Sequence, residues 1–83
     1  MQTRIALIGI IIEDTKYAEQ VNELLHEYGS YIIGRMGVPY RERGINIISV
    51  VLDAKEDTIN SLSGKLGMLK GVSVKSILSK TSQ

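Results

Sequence analysis

Three of the four arginines in this 83-residue chain, Arg35, Arg41 and Arg43, fall in one short stretch, opposed there only by Glu42. A guanidinium is a planar fork of donors that matches a carboxylate or a phosphate, so this local excess of positive charge points to an anion-binding surface. Tyr40 adds an aromatic face and a hydroxyl, and glycines at 34, 37 and 44 let backbone approach a ligand closely. The candidate binding residues are therefore Arg35, Gly37, Tyr40, Arg41, Arg43 and Gly44, facing either a small anionic effector or an acidic patch on a protein partner. A second reading has equal weight: a solvated turn whose arginines pair with Glu42 and bind nothing else.

Other chemistry is thinly represented. Without a single cysteine the chain has no disulfide framework, no thiolate zinc site and no thiol nucleophile. The one histidine, His26, shares a polar helix face with Glu19, Asn22 and Glu23, so it would serve a metal only in a site built across subunits. An ordinary exposed histidine is the stronger reading. Glu13 and Asp14 follow the first apolar run, where a helix cap and its neighbour fit better than an acid-base pair. Gly64-Lys65 fails as a phosphate loop, because Ile59 stands where the first glycine belongs and Leu66 replaces the Ser or Thr. No catalytic residue, metal ligand or cofactor is assigned. The enzyme alternative would have Arg35, Arg41 or Arg43 hold an anionic substrate while Glu13 or Glu42 moves a proton.

These side chains must be positioned by a small number of elements. Residues 5–12 (IALIGIII) are rich in β-branched side chains and too few for a good helix, which predicts a central strand buried on both faces. Asp14 is placed to cap a helix with Ala18, Val21, Leu25 and Tyr28 inward and Gly29 at its end. A second strand is expected over 31–36, a glycine-bracketed loop carrying the only proline over 37–44, and a third strand over 45–52. Asp53 and Glu56 have the spacing of a capping arrangement for a second helix, with Ile59, Leu62 and Leu66 inward and Gly67 near its end. An edge strand over 72–79 and a fraying polar tail over 80–83 complete the chain. Strand, helix, strand, strand, helix, strand with right-handed crossovers is the ferredoxin-like βαββαβ sandwich, an α+β fold with two helices on one face of a four-stranded antiparallel sheet and the first and third strands central.

That topology carries a physical consequence. Both parities of the two central strands are apolar, yet two helices cover only one sheet face, so several aliphatics would be wet in a monomer. A homo-oligomer, dimer or tetramer, covering the open face is the expected resolution, and it also supplies burial that a single domain of this size lacks. The expected domain spans residues 1–83, with an ordered core of about 4–79. A formal net charge of +1 gives no global field for nucleic acid or an anionic membrane. The two central strands hold no aromatic residue on which an RNA base would stack, and only four residues precede the first strand, so no DNA-reading arm is expected. The longest apolar run is far below the roughly 20 residues of a membrane span. It also lacks the flanks of a secretory signal, and a cytoplasmic protein is expected.

Several stretches resemble the iron-only hydrogenase system regulator family: residues 4–12 (RIALIGIII), 22–29 (NELLHEYG), 31–44 (YIIGRMGVPYRERG) and 64–75 (GKLGMLKGVSVK). The glycine-arginine-methionine-glycine run leading through Pro39 to Arg43 and Gly44 is the specific part. The pattern Leu66, Leu69, Gly71, Val72 before the last strand is generic to ACT domains. The resemblance covers nearly the whole chain and implies a stand-alone ACT-like domain. It is related in fold to the ligand-sensing half of nickel-responsive repressors, with a regulatory or sensing role near hydrogenase assembly and dimers or tetramers. Those repressors sense nickel through several histidines and a cysteine. Only His26 is present here, so their metal site does not carry over, and regulation would act through an effector or a partner. A structural adaptor docking through the 37–44 loop is the third possibility.

Overall fold

The computed structural model describes residues 2–81. Met1, Ser82 and Gln83 lie outside the described residues, and with them half of the tail expected to fray. The strands are β1 (Arg4–Ile12), β2 (Ile32–Tyr40), β3 (Ile45–Ala54) and β4 (Val72–Leu78), and the helices are α1 (Ala18–Glu27) and α2 (Glu56–Gly67). The strands form one antiparallel sheet in the order β2-β3-β1-β4, so β1 and β3 are central as their apolar runs require. This is the expected ferredoxin-like α+β architecture.

The even-numbered positions of the central strands lie under the helices. Ala6, Ile8, Ile10 and Ile12 of β1 and Ile48, Val50, Leu52 and Ala54 of β3 are buried there against Val21, Leu25 and Tyr28 of the first helical segment and Ile59, Leu62 and Leu66 of α2. The inward helix positions are those that the three-four spacing picks out. Only Ala18 among them is less than fully covered.

Three local expectations are corrected. Asp14 caps a one-turn 3-10 segment, Thr15–Tyr17, rather than α1 itself, by accepting from the Lys16 N–H at 3.1 Å. Asp53 does not start α2: it lies in β3 opposite Ile5, and α2 begins after Lys55 without a side-chain cap. The loop expected over 37–44 is mostly strand. β2 runs through Gly37, Val38 and Pro39 to Tyr40, leaving a 3-10 turn, Arg41–Arg43, and Gly44 as the connection. Pro39 is tolerated because β2 is an edge strand with one side free of pairing, where a missing N–H breaks no ladder.

One glycine holds the far end of the sandwich together. The Gly71 carbonyl accepts from the N–H groups of Glu13 (2.7 Å) and Asp14 (3.2 Å), tying the end of β1 to the entry of β4. A Cβ at Gly71 would collide with that of Asp14 and stand 2.8 Å from the Tyr17 ring. Close approach, not a turn conformation, is why glycine stands there.

Candidate functional site

Gly44 is the one residue among those described with a positive φ (65°), the left-handed conformation that closes the Arg41–Arg43 turn through a bond from its N–H to the Arg41 carbonyl (3.1 Å). The turn is thus a fixed stub that presents Arg41 and Arg43 at one end of the sheet, both exposed. Among the described residues, none of Arg35, Arg41, Arg43 and Glu42 takes part in an ion pair. The pairing of the turn arginines with Glu42 that the second sequence reading requires is not formed.

Strand parity divides the remaining candidates. Arg35 is opposite Val50 and Gly37 opposite Ile48, both on the helix side, whereas Tyr40 is opposite Ile45 on the open side. Arg35 reaches α1, where its Nη2 donates to Asn22 Oδ1 at 2.8 Å. Six candidates close in sequence therefore form two patches on opposite sides of the sheet, joined at the turn. Asn22 was not singled out as a partner of Arg35; the signal that would find it is its place on the α1 face turned toward β2.

On the open side the odd positions of β1, β3 and β4 and the even positions of β2 stand in rows across the sheet. Ile77, Leu7 and Val51 make one row, and Ile11, Ile47 and Val38 another. Between them lies a row of Lys75, Gly9, Ser49 and Met36. Leu7 and Ile11 are 41% exposed, Ile47 38%, and Met36 and Ile77 about two-thirds. Beside Gly9, where no side chain stands, the face dips into an open, largely apolar depression of about 480 Å³ whose lining includes Ile11, Ile47, Ser73 and Lys75.

The other titratable groups have structural partners or stand apart. Glu13 accepts a hydrogen bond from the Ser73 hydroxyl at 2.8 Å, and Asp14 is the cap described above, so the two carboxylates are engaged separately. His26 lines a shallow depression on α1 with Glu19, Asn22, Glu23 and Glu27. Among the described residues, no group of three or more His, Asp or Glu side chains is placed to hold a metal ion. Tyr28 forms the one shifted cluster. Its hydroxyl lies 2.9 Å from that of Ser61, and the Lys65 ammonium sits 5.2 Å from the ring centroid and 3.4 Å from Glu27. The Ser61 hydroxyl, and after it Lys65, holds the phenol below the usual tyrosine range. Tyr28, then Glu27, pushes the Lys65 ammonium up. This cluster clasps α2 to the end of α1, on the side of the sheet opposite the open face.

The chain is a ferredoxin-like sandwich with two helices on one sheet face, and solved structures confirm the fold. CPII from Thiomonas intermedia K12, a nitrogen regulatory PII-like protein, superposes with a TM-score of 0.52 at 15% identity over 98% of this chain and 93% of that one, in a structure with bound ADP, AMP and acetate. Its ligand-free form gives 0.52 at 16% identity over 100% of this chain and 97% of that one. At that identity the likeness shows fold alone. The particular family is given by two further findings. The model of the TM1266-like family, iron-only hydrogenase system regulators, matches residues 4–76. Protein TM1266 from Thermotoga maritima is 43% identical, with a TM-score of 0.89 over 94% of this chain and 99% of that one. The chain belongs to the TM1266-like family. Comparison with curated proteins gives no match.

Proposed function

We propose that this protein is a regulatory sensing module of an iron-only hydrogenase system. It works by binding rather than by catalysis, and as a homo-oligomer whose subunits cover one another's open sheet face. The observation that carries the reading is the set of three guanidinium groups, on Arg35, Arg41 and Arg43, that no carboxylate of the described chain neutralises. An arginine without a carboxylate partner is open to an anion from outside, and its planar fork loses less freedom per hydrogen bond formed than a lysine ammonium does. The family supplies the regulatory setting, and the adenine nucleotides seen on CPII make nucleotides the first compounds to try.

Against the enzyme alternative stands the hydrogen bond that holds Glu13 to the Ser73 hydroxyl, which leaves Glu42 as the one proton carrier of that reading without a side-chain partner among the described residues. A thermal-shift panel of nucleotides, inorganic phosphate, carboxylates and divalent metal ions tests the reading. An effector raises Tm progressively with its concentration, since it binds the folded state alone. It is recovered unchanged, whereas its conversion would establish the enzyme alternative. A panel in which no anion raises Tm removes the sensing function.

A further inference from the structure

α1 covers β1 and β3 but leaves β2 exposed along nearly its whole length. Between α1 and β2 runs a groove of about 240 Å³. Ala18 and Asn22 form one wall, Arg35, Gly37 and Pro39 the other, and the core residues Ile12 and Ile48 lie beneath.

Two features of this groove point to a ligand, and a third limits its charge. Arg35 spends one donor on the Asn22 carbonyl oxygen, which fixes the guanidinium at the groove, and its remaining N–H groups have no partner among the described residues. Gly37 has no positive φ, and a Cβ there would meet nothing within 4 Å, so neither backbone conformation nor packing calls for glycine. What the glycine provides, in a strand that it weakens, is room above Ile48. Finally, Asn22 also borders the acidic flank of α1 that carries Glu19 and Glu23, where a second negative charge on a ligand is disfavoured.

We propose that the groove between α1 and β2 binds a small monocarboxylate with a compact apolar body, the carboxylate on Arg35 and the body over Ile12, Ile48 and Pro39. One guanidinium matches one planar carboxylate in charge and geometry. A phosphate dianion would call for a further cation, and Arg35 is the one cationic side chain in the lining. The volume lies below the roughly 300–1,000 Å³ of pockets for drug-sized ligands, which keeps the guest small. The proposal rests on the sensing reading above but assigns the effector to Arg35 and not to the turn.

The test is an amide NMR titration of the full chain with isobutyrate, with its neutral isostere isobutyramide, and with inorganic phosphate. Isobutyrate shifts the amides of Asn22, Gly37 and Asn46, which also lines the groove, to saturation. Isobutyramide and phosphate each bind at least about tenfold more weakly, the loss that follows when a charged hydrogen-bond partner is missing or mismatched. Arg35→Ala weakens isobutyrate by a similar factor, and Gly37→Val, whose Cβ has free space and whose methyls occupy the groove, abolishes binding with Tm retained. Lys75→Ala, at a cation beside Gly9 on the open face, leaves the affinity within about twofold, as for a site that this side chain does not touch. No saturation with isobutyrate, equal binding of isobutyramide or phosphate, or undiminished affinity in Arg35→Ala or Gly37→Val overturns the proposal. If instead another anion binds and is lost only in Arg41→Ala/Arg43→Ala, the groove assignment falls while the sensing function stands.

Discussion

Replacing Ile47 by lysine is expected to dissociate the protein without unfolding it. Ile5, Leu7, Ile11 and Ile47 each leave close to two-fifths of their surface open on the sheet face away from the helices. Full burial of such a side chain is worth ~1.5–3 kcal/mol, so covering the open fraction contributes ~1 kcal/mol per residue and ~4 kcal/mol per subunit from these four alone. Two facing subunits gain ~8 kcal/mol, set against an association penalty of ~4–15 kcal/mol. Assembly is then held by a narrow margin. In a symmetric pair Ile47→Lys removes ~2 kcal/mol of burial, about 30-fold in the dissociation constant, before the desolvation of two ammonium groups is added. The lysine stem lies along the same face in a free subunit with its charge in water, so Tm of the isolated subunit changes little. Equilibrium sedimentation at micromolar concentration reads the outcome: two or more subunits for the wild type and one for Ile47→Lys. A wild type that sediments as a stable single subunit, or an Ile47→Lys variant that keeps the wild-type mass, refutes the reasoning. Ile8→Lys is the contrast, because Ile8 is wholly buried under the helices and a charge there unfolds the subunit itself.

Gly71→Ala is expected to lower stability by about 1–3 kcal/mol, the range for forcing an extra group into a packed site, with chemical denaturation as the measure. An unchanged midpoint would show that Asp14 and Tyr17 yield freely. Tyr28 is expected to titrate below the usual tyrosine range, followed by the NMR shift of its Cζ. Ser61→Ala should restore it more than Lys65→Met, since the hydrogen bond to the Ser61 hydroxyl is the larger cause of the lowering. The lowered Tyr28 value adds stability present above the ordinary tyrosine pKa and lost as pH falls through the lowered one. The raised Lys65 value adds stability present below the ordinary lysine pKa and lost as pH rises through the raised one. The clasp is therefore strongest in the alkaline window between them, and Tyr28 titration unmoved by both substitutions would contradict it.

The helices were legible because each carried its own period. The three-four spacing of Val21, Leu25 and Tyr28, and of Ile59, Leu62 and Leu66, named the inward helix faces directly. The central strands announced their position through unbroken apolar runs, and for the same reason hid their orientation. With Leu7 as greasy as Ile8, nothing in β1 said which parity the helices would take. The register of β3 was likewise invisible in Asp53, whose capping spacing with Glu56 lost to pairing with Ile5. Pro39 and the glycines around it read as a loop because those types punctuate chains, but an edge strand has a free side that accommodates them. That error changed the site. Read as a loop, residues 37–44 bring Arg35 and Tyr40 together; as a strand, parity sends them to opposite faces, and only the contact with Asn22 shows where Arg35 works. The glycine at 71 was legible as a motif, and its reason was visible only once Asp14 and Tyr17 were packed against it.

The central claim is that this family member regulates by capturing an anion on arginines that its own chain leaves unpaired. Calorimetric titration of the wild type and of an Arg35→Ala/Arg41→Ala/Arg43→Ala variant, with whichever anion raises Tm most, tests it most directly. The account predicts saturable binding by the wild type and none by the triple variant, whose Tm without ligand and sedimentation mass match the wild type. Binding of equal affinity in the triple variant would contradict it.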